Sequence, residues 1–419
     1  MSMLLRTILN STLDFKSFVF KKCDLLDSKT KPRLEIEVVP RKGSKGVCSC
    51  CNKKAPGYDT LSVRRFEHIP IWGILVFFVY APRRLNCPQC GVIVEALPWG
   101  NGKRPLTNQY AGFLSHWAKR LSWKEVAESF HTSWHKVFTS CQLAVDWGRK
   151  HMDLDHIHSI GVDEVLWHRG KKFLTVVYQI DSHCKRLLWI GVGRTKAVFR
   201  DFFKWLGPEK TAAIKYVCSD MMRSYLMVIE EMAPQATHVL DRFHTVQLIQ
   251  KAIEKIRAEE ARKLKADNKK PLLKKTRWVI LKKPENLTLK QGERLAELLK
   301  QNLKTVKGYL LKEDFQRLWD YVSPYWAGRF IDRWTRKVMY SRIEPLKKVA
   351  RTIRQHKTLI LNYFKAKKKI SQGVVEGFNN KLKLTFKKSY GFRTFKATEI
   401  QLYHTLGDLP CQKTTHRFF

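Results

Sequence analysis

Residues 158–193 read HSIGVDEVLWHRGKKFLTVVYQIDSHCKRLLWIGVG. Three runs within them, HSIGVD (158–163), FLTVVYQID (173–181) and RLLWIGVG (186–193), are rich in β-branched and aromatic residues and are separated by short polar turns, which predicts a three-strand meander. Downstream, Lys196–Leu206 has the apolar spacing of an amphipathic helix, IKYVCSD (214–220) reads as a strand ending in Asp220, Arg223–Met232 as a second helix, and THVLD (237–241) as a strand ending in Asp241.

Strand, strand, strand, helix, strand, helix, strand is the order of a ribonuclease-H-like mixed sheet, here followed by a long helical segment and a last helix. In that order the first and fourth strands are neighbours, so Asp163 and Asp220 at their ends lie side by side. Two carboxylates forced together repel, and one stays protonated unless a cation intervenes. With Glu376 from the last helix, the trio can hold two Mg²⁺ (or Mn²⁺) ions about 4 Å apart, one activating a water or hydroxyl and one stabilising a leaving oxygen. Taken singly, an Asp after a strand also caps a helix or opens a turn.

Glu376 is distinctive in its own right. Residues 365–388, KAKKKISQGVVEGFNNKLKLTFKK, hold eight lysines and this one carboxylate. A helical ion pair needs a cation three or four residues away, and those positions are Gln372, Gly373, Asn379 and Asn380. Val375, Phe378, Leu382 and Phe386 recur at helical spacing and face a core. The opposite face, with Lys381, Lys383, Lys387 and Lys388, suits a polyanion such as DNA.

The composition agrees. Across 419 residues, 79 Lys plus Arg stand against 37 Asp plus Glu, a formal charge of 79 − 37 = +42. That excess excludes an ordinary metabolic enzyme and implies a polyanionic partner, nucleic acid ahead of a membrane surface. With 44% hydrophobic residues the chain can bury cores in two to four domains. Its longest apolar run, residues 69–81, is too short to span a bilayer and contains Pro70 and Gly73. The N-terminus has no convincing cleavable signal, so a cytoplasmic location is expected.

Four of the ten cysteines have metal-ligand spacing: Cys48 and Cys51 form one C-x-x-C, Cys87 and Cys90 another. Four thiolates brought into a tetrahedron let zinc replace a hydrophobic core in a small domain, here a zinc ribbon over residues 1–100. Cys50 could substitute for Cys48 or Cys51. Arg64, Arg65, Arg83 and Arg84 flank apolar strands between the pairs and are candidate phosphate contacts. After the linker PWGNGKRP (98–105), residues 107–120, 122–129 and 133–147 read as helices, with Ser122 and Glu125 forming a capping box. The last two form a helix-turn-helix or a plain helical hairpin, assigned with the first to residues 101–150. In a DNA-binding helix-turn-helix, Ser133, Trp134, His135 and Lys136 would reach base edges.

GVDE (161–164), SD (219–220), VLDRFH (239–244), RWVILKKPENLT (277–288), and VVEGFNNKLK (374–383) followed by YGFRTF together resemble the ISL-three family of bacterial insertion-sequence transposases. The resemblance covers nearly the whole chain. It implies that Asp163, Asp220 and Glu376 are a DDE triad in a catalytic domain over 151–419, with a helical insertion at about 245–370. It also implies that Asp241 and His244 support the metal site, since related families carry a similar element; a capping Asp and a core-edge His are the other reading. The insertion is basic, residues 262–283 holding ten Lys or Arg against one Asp. Trp319, Trp326 and Trp334 either pack at helix crossings or stack on an unpaired base at a cleaved end.

The resulting expectation is a DNA transposase that binds its element's terminal inverted repeats, cleaves there and joins the freed ends to target DNA. It would work at the bacterial nucleoid as at least a homodimer, with no membrane partner. A non-catalytic DNA-binding regulator of the same architecture and a nuclease or resolvase are the alternatives.

Overall fold

The structure, a computed structural model, describes residues 2–13, 15–26, 32–168, 172–240, 242–269, 271–366, 373–389 and 391–412. Asp241 lies outside the described residues. Contacts divide the chain into two units, Met1–Asp153 with Leu382–Phe419, and Leu154–Lys381. The first boundary falls three residues after the division expected at 150; residues 382–419, expected with the core, group with the first unit.

In the first unit, α1 (Ser2–Thr12) packs on β1 (Phe18–Leu26), which pairs antiparallel with β2 (Arg33–Pro40). Next come β3 (Gly46–Val47), β4 (Lys54–Ala55), β5 (Gly57–Thr60), β6 (Arg64–Ile71), β7 (Ile74–Tyr80), β8 (Arg83–Cys87) and β9 (Gly91–Val94). Only part of the long stretch between the cysteine pairs belongs with them: β4 pairs with β3, and β5 and β8 form a sheet with β9. Strands β6 and β7 instead join β1 and β2 in a four-strand sheet of order β1-β2-β7-β6. The alternation in ILVFFVY buries Val76, Phe78 and Tyr80 on one face. There they meet Trp99, fully buried and touched by the rings of Phe15, Phe18, Phe66, Phe78 and Tyr80.

Three helices follow: α2 (Asn108–Ala118), α3 (Trp123–Ser129) and α4 (Trp134–Lys150). Thr107, Ser122 and Ser133 are their N-caps, and Ser122 and Glu125 form the expected capping box. His131, in the joint between α3 and α4, has φ +51°, the left-handed geometry that a tight turn between helices requires.

The second unit is built on a five-strand sheet from β10 (Ser159–His168), β11 (Lys172–Ile180), β12 (Lys185–Val192), β13 (Tyr216–Ser219) and β14 (Thr237–Leu240), in the order β12-β11-β10-β13-β14. The first three pair antiparallel; β13 is parallel to β10 and β14 to β13. Helices α5 (Lys196–Leu206), α6 (Pro208–Ala212) and α7 (Arg223–Met232) follow the meander. Phe199, Phe202, Tyr225 and Val228 from α5 and α7 pack on Ile160, Val162, Val177 and Leu188. Because strand side chains alternate, Gly161 and Asp163 face the other way.

The insertion is helical and packed: α8 (Arg242–Ala266), α9 (Arg277–Leu281), α10 (Leu289–Leu299), α11 (Lys304–Gln316), α12 (Pro324–Tyr340), α13 (Glu344–Gln355) and α14 (Lys357–Lys365) share one apolar core. Trp319 and Trp334 belong to that core, and the Trp334 indole donates to the Leu311 carbonyl at 2.9 Å. Trp326 is 57% exposed. The chain ends its described course with α15 (Gly373–Lys388) and α16 (Phe395–Leu406); α16 packs on α4, where Arg149 pairs with Glu399 at 2.8 Å.

Candidate active site

Strands β10 and β13 pair in the register Ser159↔Tyr216, Ile160↔Val217, Gly161↔Cys218. Two residues further along, Asp163 lies in the middle of β10, which runs on to His168 instead of ending at Asp163 as expected, and Asp220 lies one residue past the end of β13. Their charges interact: burial raises the pKa of Asp163 above the usual carboxylate range, and the charge of Asp220 adds to the rise. The backbone N–H of Glu164 donates to Asp163 Oδ1 at 2.7 Å, and this bond and the nearby His244 work in the opposite direction. Asp220 also opens the turn into α7, its Oδ1 accepting the Met222 N–H at 2.9 Å.

Helix α15 lies directly on β10 and β11. Val375 is so close to Gly161 that a Cβ there would fall 2.4 Å from Val375 Cγ2. Phe378 stacks on Tyr178 of β11, ring centroids 4.9 Å apart and 13° from parallel. The Tyr178 hydroxyl donates to Asn379 Oδ1 at 2.9 Å, and Asn379 Nδ2 donates to Asp163 Oδ2 at 2.5 Å. Burial, with the charge of Asp163 behind it, keeps the Tyr178 phenol protonated and so a donor.

One helical turn before Asn379 is Glu376, exposed, in the first turn of α15. The positive end of the helix dipole stabilises a carboxylate at that position, which accounts for its lack of a helical ion-pair partner. Glu376 and Gly373 line a cavity of about 690 Å³ together with Cys218, two residues before Asp220, and with Arg242 and Phe243 beside His244. Asp163, Asp220 and Glu376 do not form a group whose ligand atoms all lie within 4.8 Å of one another. Among the described residues, the only group of three or more candidate ligands with atoms mutually within 4.8 Å is a cysteine quartet.

A family profile described as a transposase matches residues 160–402, a span that contains all of these groups. The chain is 31% identical over 350 residues, 83% of its length and 85% of the relative's, to the transposase for insertion sequence element IS1001 of Bordetella parapertussis. It is 29% identical over 395 residues, 87% of its length and 86% of the relative's, to the transposase for insertion sequence element IS1557 of Mycobacterium tuberculosis. The chain belongs to the ISL-three family of insertion-sequence transposases.

Sequence reasoning passed over several residues of this candidate site. Gly161, Tyr178 and Asn379 seat α15 on the sheet. Asn379 lies three residues after Glu376, on the same helical face, and that spacing was the available signal. Glu164, on the opposite face of β10 from Asp163, has its pKa raised by burial and by Asp220; its Oε1 is buried without a hydrogen-bond partner, and Arg194 is 3.6 Å from its other oxygen.

The cysteine quartet is Cys48, Cys51, Cys87 and Cys90, and Cys50 is exposed outside it. Cys51 and Cys87 sulfurs are 3.5 Å apart, near the roughly 3.8 Å separation of two thiolates on tetrahedral zinc at 2.3 Å. The backbone N–H groups of Cys51 and Cys50 pull the Cys48 thiol down to about 7. Only Ala55 and Leu85 join two of these cysteines in the buried cluster around them, too small a core to hold the strands by itself. These four cysteines could hold a zinc ion.

The expected DNA-facing residues fare unevenly. Ser133 spends its hydroxyl as the N-cap of α4. Lys136, expected at base edges, instead pairs with Glu67, whose buried carboxylate also accepts the Thr132 hydroxyl at 3.0 Å; a buried acid needs that counter-charge. Trp134, stacked on Phe138, and His135 remain exposed. The four arginines between the cysteine pairs are engaged internally: Arg83 with Glu95, Arg84 with Asp59, Arg65 with Glu35, and Arg64 with the carbonyls of Gly102 and Arg104. Lys381, Lys383, Lys387 and Lys388 are all exposed. No helix among the described residues is long and apolar enough to cross a membrane.

Proposed function

We propose that this transposase binds the terminal inverted repeats of its insertion sequence, cuts DNA there and joins the ends to a target, using Asp163, Asp220 and Glu376 as a DDE triad on a ribonuclease-H-like core. The observation that carries the reading is the seating of α15 on β10 through Asn379 and Val375, one turn from Glu376. The strand order β12-β11-β10-β13-β14 supports the fold assignment, and the register of β10 with β13 supports the pairing of the two aspartates.

The donor set fits Mg²⁺ or Mn²⁺. It consists of hard carboxylate oxygens, and the charges of Asp163 and Asp220 oppose each other in a buried setting, a conflict that a divalent cation relieves. When bound, the ions supply charge neutralisation of the phosphate and lower the pKa of the attacking water or 3′-hydroxyl.

The chain's own residues do the rest. Asn379, held by Tyr178, aims one oxygen of Asp163 and leaves the other to the Glu164 N–H. Glu376 would supply a third carboxylate from the first turn of α15, completing with Asp163 and Asp220 the set that would hold the ions. His244, with Asp241 as expected from the sequence, orients a carboxylate or the scissile phosphate. Residues 1–100, with a structural Zn²⁺ on the cysteine quartet, and the helix-turn-helix of 101–150, with Trp134 and His135, recognise the ends. Lys381, Lys383, Lys387 and Lys388 hold phosphates, and two ends require at least a homodimer working at the nucleoid.

The test uses duplexes carrying the element's ends, with and without Mg²⁺. Wild type should nick them and join pre-cleaved ends to a target, whereas Asp163→Asn should bind them and do neither. Unchanged activity in Asp163→Asn would point to a regulator whose core is idle, and cutting without joining to a nuclease or resolvase.

A further inference from the structure

Glu67 is an acid buried where α4 begins. It stands in β6 and is 5% exposed. Its backbone N–H donates to the Pro105 carbonyl at 2.7 Å, and its carbonyl accepts the Thr107 N–H at 2.9 Å, so β6 holds the approach to α2. Arg64, on the same strand, donates to the carbonyls of Gly102 at 3.0 Å and Arg104 at 3.3 Å. The Glu67 carboxylate reaches the joint between α3 and α4. Its Oε1 accepts the Thr132 hydroxyl at 3.0 Å and its Oε2 pairs with the Lys136 ammonium. One residue of the sheet thus fixes both the entry to the three helices and the first turn of α4.

Charge decides what this clamp does. In a chain of net charge +42, the pair α3 and α4 is electrostatically quiet. Lys136 is the only lysine or arginine in α4 before Arg149, and Lys124, the only one in α3, lies 3.7 Å from Glu128. With the Lys136 side chain 32% exposed against Glu67, the open start of α4 shows Ser133, Trp134 and His135 and no unpaired lysine or arginine. Contacts from lysine to phosphate grip any duplex alike, whereas base contacts discriminate. A free ammonium at this position would tighten the hold on every sequence without choosing among them.

We propose that Glu67 is a specificity-determining residue, which positions the start of α4 and withholds the Lys136 charge from DNA phosphates, so that recognition of the ends is left to base contacts. The inference rests on the helix-turn-helix reading above. Freeing Lys136 would leave the acid buried without a counter-charge. That cost exceeds the return from one phosphate contact, roughly fivefold in affinity at 0.15 M salt, so duplex DNA does not pull the pair apart.

The experiment titrates the full chain, without Mg²⁺, against duplexes of the element's ends and random-sequence duplexes of the same length, and reads the slope of log affinity on log salt. Lys136→Gln should leave the random-duplex slope unchanged, because that charge is already neutralised. Glu67→Gln keeps an acceptor for Thr132 but no charge for Lys136. It should steepen the slope by about 0.9, the increment for one phosphate contact, and raise random-duplex affinity roughly fivefold at 0.15 M salt, lowering the preference for ends. The double variant Glu67→Gln/Lys136→Gln should return the slope to the wild-type value, which a merely structural role for Glu67 would not do. A shallower slope in Lys136→Gln, or a Glu67→Gln slope equal to wild type, overturns the inference. Should Glu67→Gln melt below the assay temperature, the slope of Lys136→Gln decides alone. If wild type prefers the ends and Trp134→Ala with His135→Ala keeps that preference in full, the helix-turn-helix reading fails and takes the inference with it. A preference lost in that pair, with slopes that do not move in Glu67→Gln, removes the inference and leaves the reading standing.

Discussion

Asn379 ties Asp163 to the helix that carries Glu376, an acid 213 residues further along the chain. Its amide is buried between the Tyr178 hydroxyl and Asp163, so Asn379→Ala removes an orienting donor without touching DNA or metal. Residues that orient metal ligands are worth about 10–100-fold in affinity or activity. Cleavage by Asn379→Ala should fall within that range, with a rise in the Mn²⁺ concentration for half-maximal rate; Tyr178→Phe should show a smaller version of both. An unchanged metal requirement would mean that Asn379 only packs the helix. Asp163 makes a second prediction. Burial and Asp220 raise its pKa, so at neutral pH its ionised form strains the fold. Asp163→Asn should melt a few degrees higher than wild type in EDTA, and Mg²⁺ should raise the wild-type melting temperature but not that of the variant.

At the scale of elements, the decisive contact is α15 on β10. The helix comes so close at Gly161 that no Cβ fits. Gly161→Val should therefore lift the first turns of α15 from the sheet, since overpacking a filled contact costs about 1–3 kcal/mol. Cleavage should be lost while far-UV circular dichroism stays within error of wild type, because the insertion core and the first unit do not depend on the contact. Cleavage at wild-type rate would show that Glu376 does not need this seating. The cysteine quartet is the comparable element in the first unit. Its buried cluster is too small to stand alone, so a strong chelator or Cys87→Ser should loosen β3, β4, β5, β8 and β9 to hydrogen exchange. The sheet around Trp99, with its own aromatic core, should stay protected.

For the molecule as a whole, each unit carries a histidine held neutral by burial. His238 on β14, its Nε2 2.7 Å from Ser219 Oγ, is lowered to about 4, and His404 on α16 to about 3, in both cases mainly by desolvation. The unfolded chain takes up these protons near pH 6.5, the folded chain only near those lower values. Their contribution is therefore complete above pH 6.5 and is lost as pH falls toward 4. For His238 it amounts to something on the order of 3 kcal/mol. Urea midpoints should drop between pH 7 and pH 4.5, and His238→Gln should flatten that dependence for the second unit.

What the sequence determined by itself was local and periodic. Runs of β-branched and aromatic residues marked β10 to β12, although β10 runs five residues past the expected 163; helical spacing marked α5 and α7 to the residue, cap chemistry marked α3, and paired cysteines marked the quartet. Each of these signals lies within a few residues of its own cause. Tertiary structure decided what meets what. It decided that β6 and β7, between the cysteine pairs, join β1 and β2 in a separate sheet around Trp99, and that Lys136 is claimed by Glu67. It also decided that Asn379 connects Asp163 to the Glu376 helix. Such pairings arise because a buried charge or amide must find its partner wherever the packed chain supplies one, and that requirement leaves no trace in the spacing of neighbouring residues.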